Sequence, residues 1–388
     1  MNIAFSPRMT KTAAMGLAGV LAAALVLGAI INNLSNRPAT KPAGAVSVSV
    51  APPVRSVTVT LPPKPSATTD MAEAAATPGE TPAAALTPRL PDSGGSLVQR
   101  LHDWQRTKPA MIDVPVKDLT VGTPDGLLPR IGNDNREPWQ VYARPAPPVP
   151  QGVPQIAILM VDMGLSSRLT LPALEQLPGQ ISVALHLYSP NLESQIRNAR
   201  AVGLNGGHEV LLDIPAEPLD YPIEDPGPDA LLTRLSTKEN LGRLYPMLAK
   251  APGVIGIVSS EGSRFAQDPA VLTPVLQDMK VRGLAWIDVN HVSATGMQSI
   301  TPNLAPGIGL ANAVADMWID DTLSPATIRQ RLDAALMIAK RSGHVLVVAR
   351  PYPLTVTMLA EFTASLPGLG VALVPASALL KKVGARSQ

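Results

Sequence analysis

The chain has no cysteine among its 388 residues, which excludes disulfides, thiolate metal centres and a cysteine nucleophile. A cysteine-free chain persists in oxidising and reducing compartments alike, so this absence does not fix the location. Aromatic residues make up only 3% of the sequence, too few to pave a face with stacked rings. An excess of one charge is missing too: 32 Lys and Arg against 30 Asp and Glu leave a formal charge of +2. Nothing therefore draws the chain as a whole toward nucleic acid, and no nucleic-acid partner is expected. No G-x-S-x-G elbow or P-loop occurs, and Gly307-Ile308-Gly309 and Gly206-Gly207 lack the spacing of a phosphate loop.

What is present begins with an uncharged run from Ala13 to Ile31, AAMGLAGVLAAALVLGAII, preceded by Arg8 and Lys11. A helix of this length spans roughly 30 Å, the thickness of a bilayer core. The first small-x-small site, Ala43-Gly44-Ala45, lies well downstream of the run, so residues 1–36 read as an uncleaved membrane anchor rather than a removed signal. Residues 37–125 read as a Pro/Ala-rich disordered linker. Eleven prolines fall between Arg37 and Asp92, and such a segment buries too little apolar surface to offset its ordering entropy. Within it, 96–107 (SLVQRLHDWQRT) has the pattern of a short helix.

From Gln155 to Lys382 short β-branched runs alternate with amphipathic stretches. Strands are expected at 155–162, 180–186, 208–214, 254–259, 284–288, 344–349 and 370–374, with a weaker one at 316–320. Helices are expected at 168–176, 190–202, 236–250, 269–282, 324–342 and 355–365. This alternation means parallel strands with crossover helices, and the nearly continuous hydrophobic strands suit a sheet covered on both sides. The fold class is α/β, a closed or nearly closed β/α barrel. In that architecture the chemistry gathers at the carboxyl ends of the strands. Those ends carry Asp162, Asp213, then Ser260, Glu261 and Arg264, then Asp288 and His291, and finally Arg350. Any one of them could equally be a turn former or loop cap.

The runs IAILMVDMGLS, GGHEVLLDIPAEP, PGVIGIVSSEGSRFAQD, RGLAWID and LVPAS, with GLLPRIGNDNREPWQVYARP at 126–145, resemble the divergent polysaccharide deacetylases. That family is a bacterial envelope branch of the carbohydrate esterases. The resemblance implies an irregular (β/α)7-type barrel at 154–383 with a flanking segment at 126–153. It also implies a single-pass protein of the bacterial inner membrane with its barrel in the periplasm. Active-looking relatives carry two adjacent Asp after the first strand, a His in an LHxPMEP block and a His in an NNHMGS block. This set could hold a divalent ion that activates water. Here Val161 stands for the first Asp, Asp213 for the first His and Ser260 for the second, and Arg350-Pro351 replaces a late His-Pro.

The oxygen donors that remain, Asp162, Asp213 and Glu261, suit a hard ion if they hold one at all. Arg350 opposes any cation there and could instead pair with Asp162 or Asp213. No cofactor is expected, and a divalent metal only if hydrolysis survives. Three readings stay open at this point. In the first, the barrel no longer hydrolyses and binds an envelope glycan or an envelope protein, through Asp213, Ser260, Glu261, Arg264, Asp288 and Arg350. In the second, a remodelled carboxylate site still deacetylates, with Asp162 and His291 as catalytic residues. In the third, the barrel is a spacer without a ligand.

Overall fold

The computed structural model describes residues 95–146, 149–289 and 300–381. The expected anchor helix at 13–31, most of the linker and His291 lie outside them. No helix among the described residues is long and apolar enough to cross a membrane.

The chain enters through helix α1 (Leu97–Arg106), capped by the Ser96 hydroxyl, which accepts from Gln99 N. A two-stranded antiparallel hairpin follows, β1 (Thr120–Thr123) and β2 (Gly126–Pro129). A short helix α2 (Pro138–Val141) leads to the first strand of the main sheet, β3 (Gln155–Met163). From there strands and helices alternate: α3 (Ser167–Gln176), β4 (Ser182–His186), α4 (Leu192–Ala201), β5 (Val210–Asp213), α5 (Thr237–Ala249), β6 (Gly256–Val258), α6 (Pro269–Val281), β7 (Ala285–Asp288) and α7 (Thr301–Ile308). The last part comprises β8 (Asn312–Val314), β9 (Met317–Trp318), α8 (Pro325–Ser342), β10 (His344–Ala349), α9 (Pro353–Ser365) and β11 (Ala372–Val374).

Local chemistry explains several of these boundaries. Ser236 and Glu239 close a capping box at the start of α5, and Asp268 with Pro269 opens α6. Ser324 with Pro325 opens α8, and Gly343 ends it in the left-handed region at φ 85°.

The main sheet is entirely parallel and runs β8-β7-β6-β5-β4-β3-β10-β9, with β11 against the start of β3. Its two end strands, β8 and β9, are joined in sequence by Ala315-Asp316 alone. The order that starts beside β7 therefore ends beside β10 within one short stretch of chain, and the sheet curls round on itself. Ile156 through Val161 of β3 are fully buried, as expected of a strand covered on both faces. Two clusters of buried side chains lie on opposite faces of the strands, Ile156, Ile158 and Met160 in one, Ala157, Leu159 and Val161 in the other.

Two expectations need correction. The packed region begins well before Gly126: α1 and β1 fall inside the stretch assigned to the linker. Trp104 of α1 is 3% exposed and donates its indole N–H to Leu373 O at 3.2 Å, while Leu119 is fully buried. Strand β8, helix α7 and the hairpin were also absent from the sequence reading. Helix α7 carries Pro302, Pro306 and Gly307, which erase any helical pattern, and β8 is only three residues long.

Candidate functional site

Sheet register brings four of the expected residues together. Ala349 of β10 lies opposite Met160 of β3, so Arg350 leaves its strand beside the end of β3. There the register between β3 and β4 shifts between Met160 and Met163, and Asp162 takes a left-handed conformation at φ 56°. Such a bulge re-aims a side chain, and a non-glycine residue in this region signals a constrained position. Gly164, at φ 94°, completes the turn; a Cβ there would come within 2.2 Å of Ser189 Oγ.

The Arg350 Nε donates to Asp162 Oδ2 at 3.0 Å. The Ser260 hydroxyl lies 2.7 Å from Asp213 Oδ2 and 3.4 Å from Asp162 Oδ1, and Ser260 N donates to Asp213 Oδ1 at 3.0 Å. Ser260 thus bridges two carboxyl groups, one of which is clamped from the far side by a guanidinium. Asp213 is 1% exposed. Burial first, and then the Asp162 charge, push its carboxyl up to about 8, against the Ser260 hydrogen bonds. The hydroxyl and the N–H of Ser260 both donate to this carboxyl, while burial favours its neutral form. Partial burial raises Glu261 as well, helped by Asp162 and Glu224 and opposed by Arg350.

One expected residue turns away from this cluster. Arg264 turns to Glu217, with Nη1 3.3 Å from Oε1, while the other oxygen of Glu217 accepts from Thr233. Asp288 is buried at the end of β7.

Three residues that sequence reading left out belong to the neighbourhood. His186 ends β4 and pairs in register with Asp213. Its Nδ1 accepts from Tyr188 N at 3.2 Å, which puts the ring proton on Nε2; burial lowers its pKa against the pull of Asp162, so the ring is neutral. Trp318 of β9 stacks under Arg350, with the guanidinium carbon 4.2 Å from the ring centroid. Asp320 is 2% exposed; its Oδ2 accepts from Arg350 N at 2.8 Å and Thr355 Oγ1 at 3.0 Å. The signal for His186 was available, since it is the last residue of an expected strand. Asp320 was masked by the weakness of the 316–320 pattern. A depression of about 580 Å³ opens where the chain leaves β4, lined by Tyr188, Asn191, Arg197 and Lys250 among others.

A divalent ion at Asp162, Asp213 and Glu261 would need three ionised carboxylates free to turn to one point. Arg350 already engages Asp162, and both oxygens of Asp213 are taken by Ser260. Among the described residues no group of three or more His, Asp or Glu converges in a way that could hold a metal ion. The donor set does not fit the ion that the family resemblance implies.

Comparison with known proteins bears on the fold and the family. A solved structure of the uncharacterized protein ATU2773 from Agrobacterium tumefaciens C58 is 32% identical, covers 66% of this chain and 99% of its own, and superposes with a TM-score of 0.61. The uncharacterized protein YibQ of Escherichia coli (strain K12) is 28% identical over 229 residues, 59% of this chain and 68% of YibQ. The family model described as divergent polysaccharide deacetylase matches residues 158–380, from the middle of β3 to beyond β11. The chain therefore belongs to the divergent polysaccharide deacetylase family, which sets its function among carbohydrate-related proteins.

Proposed function

We propose that the barrel is a glycan-binding domain of the bacterial envelope that has given up metal-dependent hydrolysis. The observation that carries this reading is the Arg350–Asp162 ion pair at 3.0 Å, which fills the space an activating ion would need. The buried Asp213 supports it, because both of its carboxyl oxygens are already taken by Ser260. The depression lined by Tyr188, Ser189, Asn191 and Arg197 offers a polar surface against which a sugar chain could lie. On this reading residues 13–31 hold the chain in the inner membrane, and the Pro-rich stretch after them spaces the barrel into the periplasm.

The test uses the full chain in detergent with N-acetylated amino-sugar oligomers. Binding is expected without acetate release, whether or not Mg²⁺, Ca²⁺ or Zn²⁺ is added. Acetate release that stops when a chelator is added would reject the reading.

A further inference from the structure

The cluster at the mouth contains a cation, Arg350, whose two Nη groups make no hydrogen bond among the described residues. We infer that Arg350 stands in for the metal ion as a fixed hydrogen-bond donor to a neutral acyl carbonyl of the bound glycan, and that Asp320 and Trp318 are the residues that position it. This inference rests on the glycan-binding reading.

A guanidinium offers five N–H groups in a rigid plane. Nε of Arg350 is spent on Asp162 Oδ2. Nη1 is 3.9 Å from Asp320 Oδ1, close enough for charge attraction and too far for a hydrogen bond. Among the described residues, neither Nη1 nor Nη2 meets a hydrogen-bond acceptor. The side chain is 29% exposed, so a ligand can reach these donors.

The head group is also held still. Trp318 lies under its plane at 4.2 Å, a cation–π contact that leaves the plane's edge free. Trp318 is itself anchored by its indole N–H on Val289 O at 3.0 Å. Asp320, fully buried as a side chain, fixes the Arg350 backbone through Arg350 N and is steadied by Thr355. A donor aimed this way loses little freedom when a ligand arrives, which is the condition for useful polarisation of a carbonyl.

The surrounding charges choose the ligand group. Asp162 carries the charge that pairs with Arg350, and Glu261 and Glu224 stand close enough to feel one another. A second carboxylate brought in by a ligand would be repelled by these acids. A neutral acyl oxygen accepts from the guanidinium without that penalty.

The experiment compares an N-acetylated amino-sugar oligomer with its deacetylated counterpart, using full-length chain in detergent with and without EDTA. Wild type is expected to prefer the acetylated oligomer, with the same affinity in EDTA. Arg350→Met keeps the aliphatic stem and removes the donors; it should weaken acetylated-oligomer binding about tenfold to a hundredfold. Asp320→Asn should lower the acetylated-to-deacetylated preference in the same direction, by a smaller factor. A merely structural role would lower both affinities together and leave their ratio intact, and thermal unfolding of each variant shows whether it has folded. An unchanged preference in folded Arg350→Met, or binding lost in EDTA, overturns the inference while glycan binding stands. No binding of either oligomer by wild type overturns the glycan-binding reading, and this inference with it.

Discussion

Glu209→Ala is expected to cost about 3–5 kcal/mol of folding stability, measured by urea unfolding of the full chain. Glu209 is fully buried at the amino-terminal end of β5, opposite the mouth, and joins three separate parts of the chain. Its Oε1 accepts from Ser182 Oγ at 2.6 Å and Ser377 N at 2.9 Å. Its Oε2 accepts from Arg144 N at 3.1 Å and from Ser377 Oγ. Arg144 and Arg200 are buried around it, and burial lowers both to about 10 against the attraction of Glu209. Removing the carboxylate leaves buried donors without an acceptor and two buried cations without their counter-charge, and both carry a large penalty. Glu209→Gln keeps one acceptor oxygen and should fall between the two. A loss below about 1 kcal/mol in the alanine variant would show that this network does not anchor the 97–145 segment to the barrel.

The second large effect depends on pH. The Asp213 carboxyl is raised in the folded protein from its ordinary 3.8 to about 8, chiefly by burial. In the window between these values the unfolded chain has lost the proton and the folded chain keeps it, so stability falls as pH rises. The contribution is complete below the lower value, is lost as pH climbs through the upper one, and is flat beyond it. Asp213→Asn removes this titration, keeps an oxygen to accept from Ser260 N and meets the Ser260 hydroxyl with an amide donor in place of the carboxyl acceptor. The variant should match wild type only at about pH 3, below the ordinary 3.8, draw ahead as pH rises through the window, and exceed wild type by several kcal/mol near pH 9, at about 1.4 kcal/mol per pKa unit. Parallel stability curves for the two proteins would mean that Asp213 is ionised throughout.

Most of the sheet was legible because its strands are short, β-branched and separated by amphipathic helices. Each expected strand from 155 to 374 has a counterpart in the structure, shifted by a few residues at its ends. Sequence did not reveal what holds the outer elements on. A helix at 96–107 could be read from its pattern, but its docking depends on one indole reaching Leu373 O, 269 residues away. At the mouth, Asp162, Asp213, Ser260 and Arg350 were readable because strand ends are where a parallel barrel places polar groups. Asp320 and Trp318 were not, because their importance comes from sheet order. Strand β9 lies beside β10, with Trp318 opposite Val348, which brings Asp320 next to Arg350 although a crossover helix separates them in the chain. The orientation of Asp162 was hidden too, since the bulge and the left-handed backbone at that residue leave no mark on composition or periodicity.

The role proposed for Arg350 is to hold the place of an ion. Calorimetric titration of the full chain with Zn²⁺, Mg²⁺ and Ca²⁺, in wild type and in Asp162→Asn, tests this most directly. No saturable site that depends on Asp162 should appear. One equivalent of any of these ions bound by wild type and lost in Asp162→Asn would contradict the account.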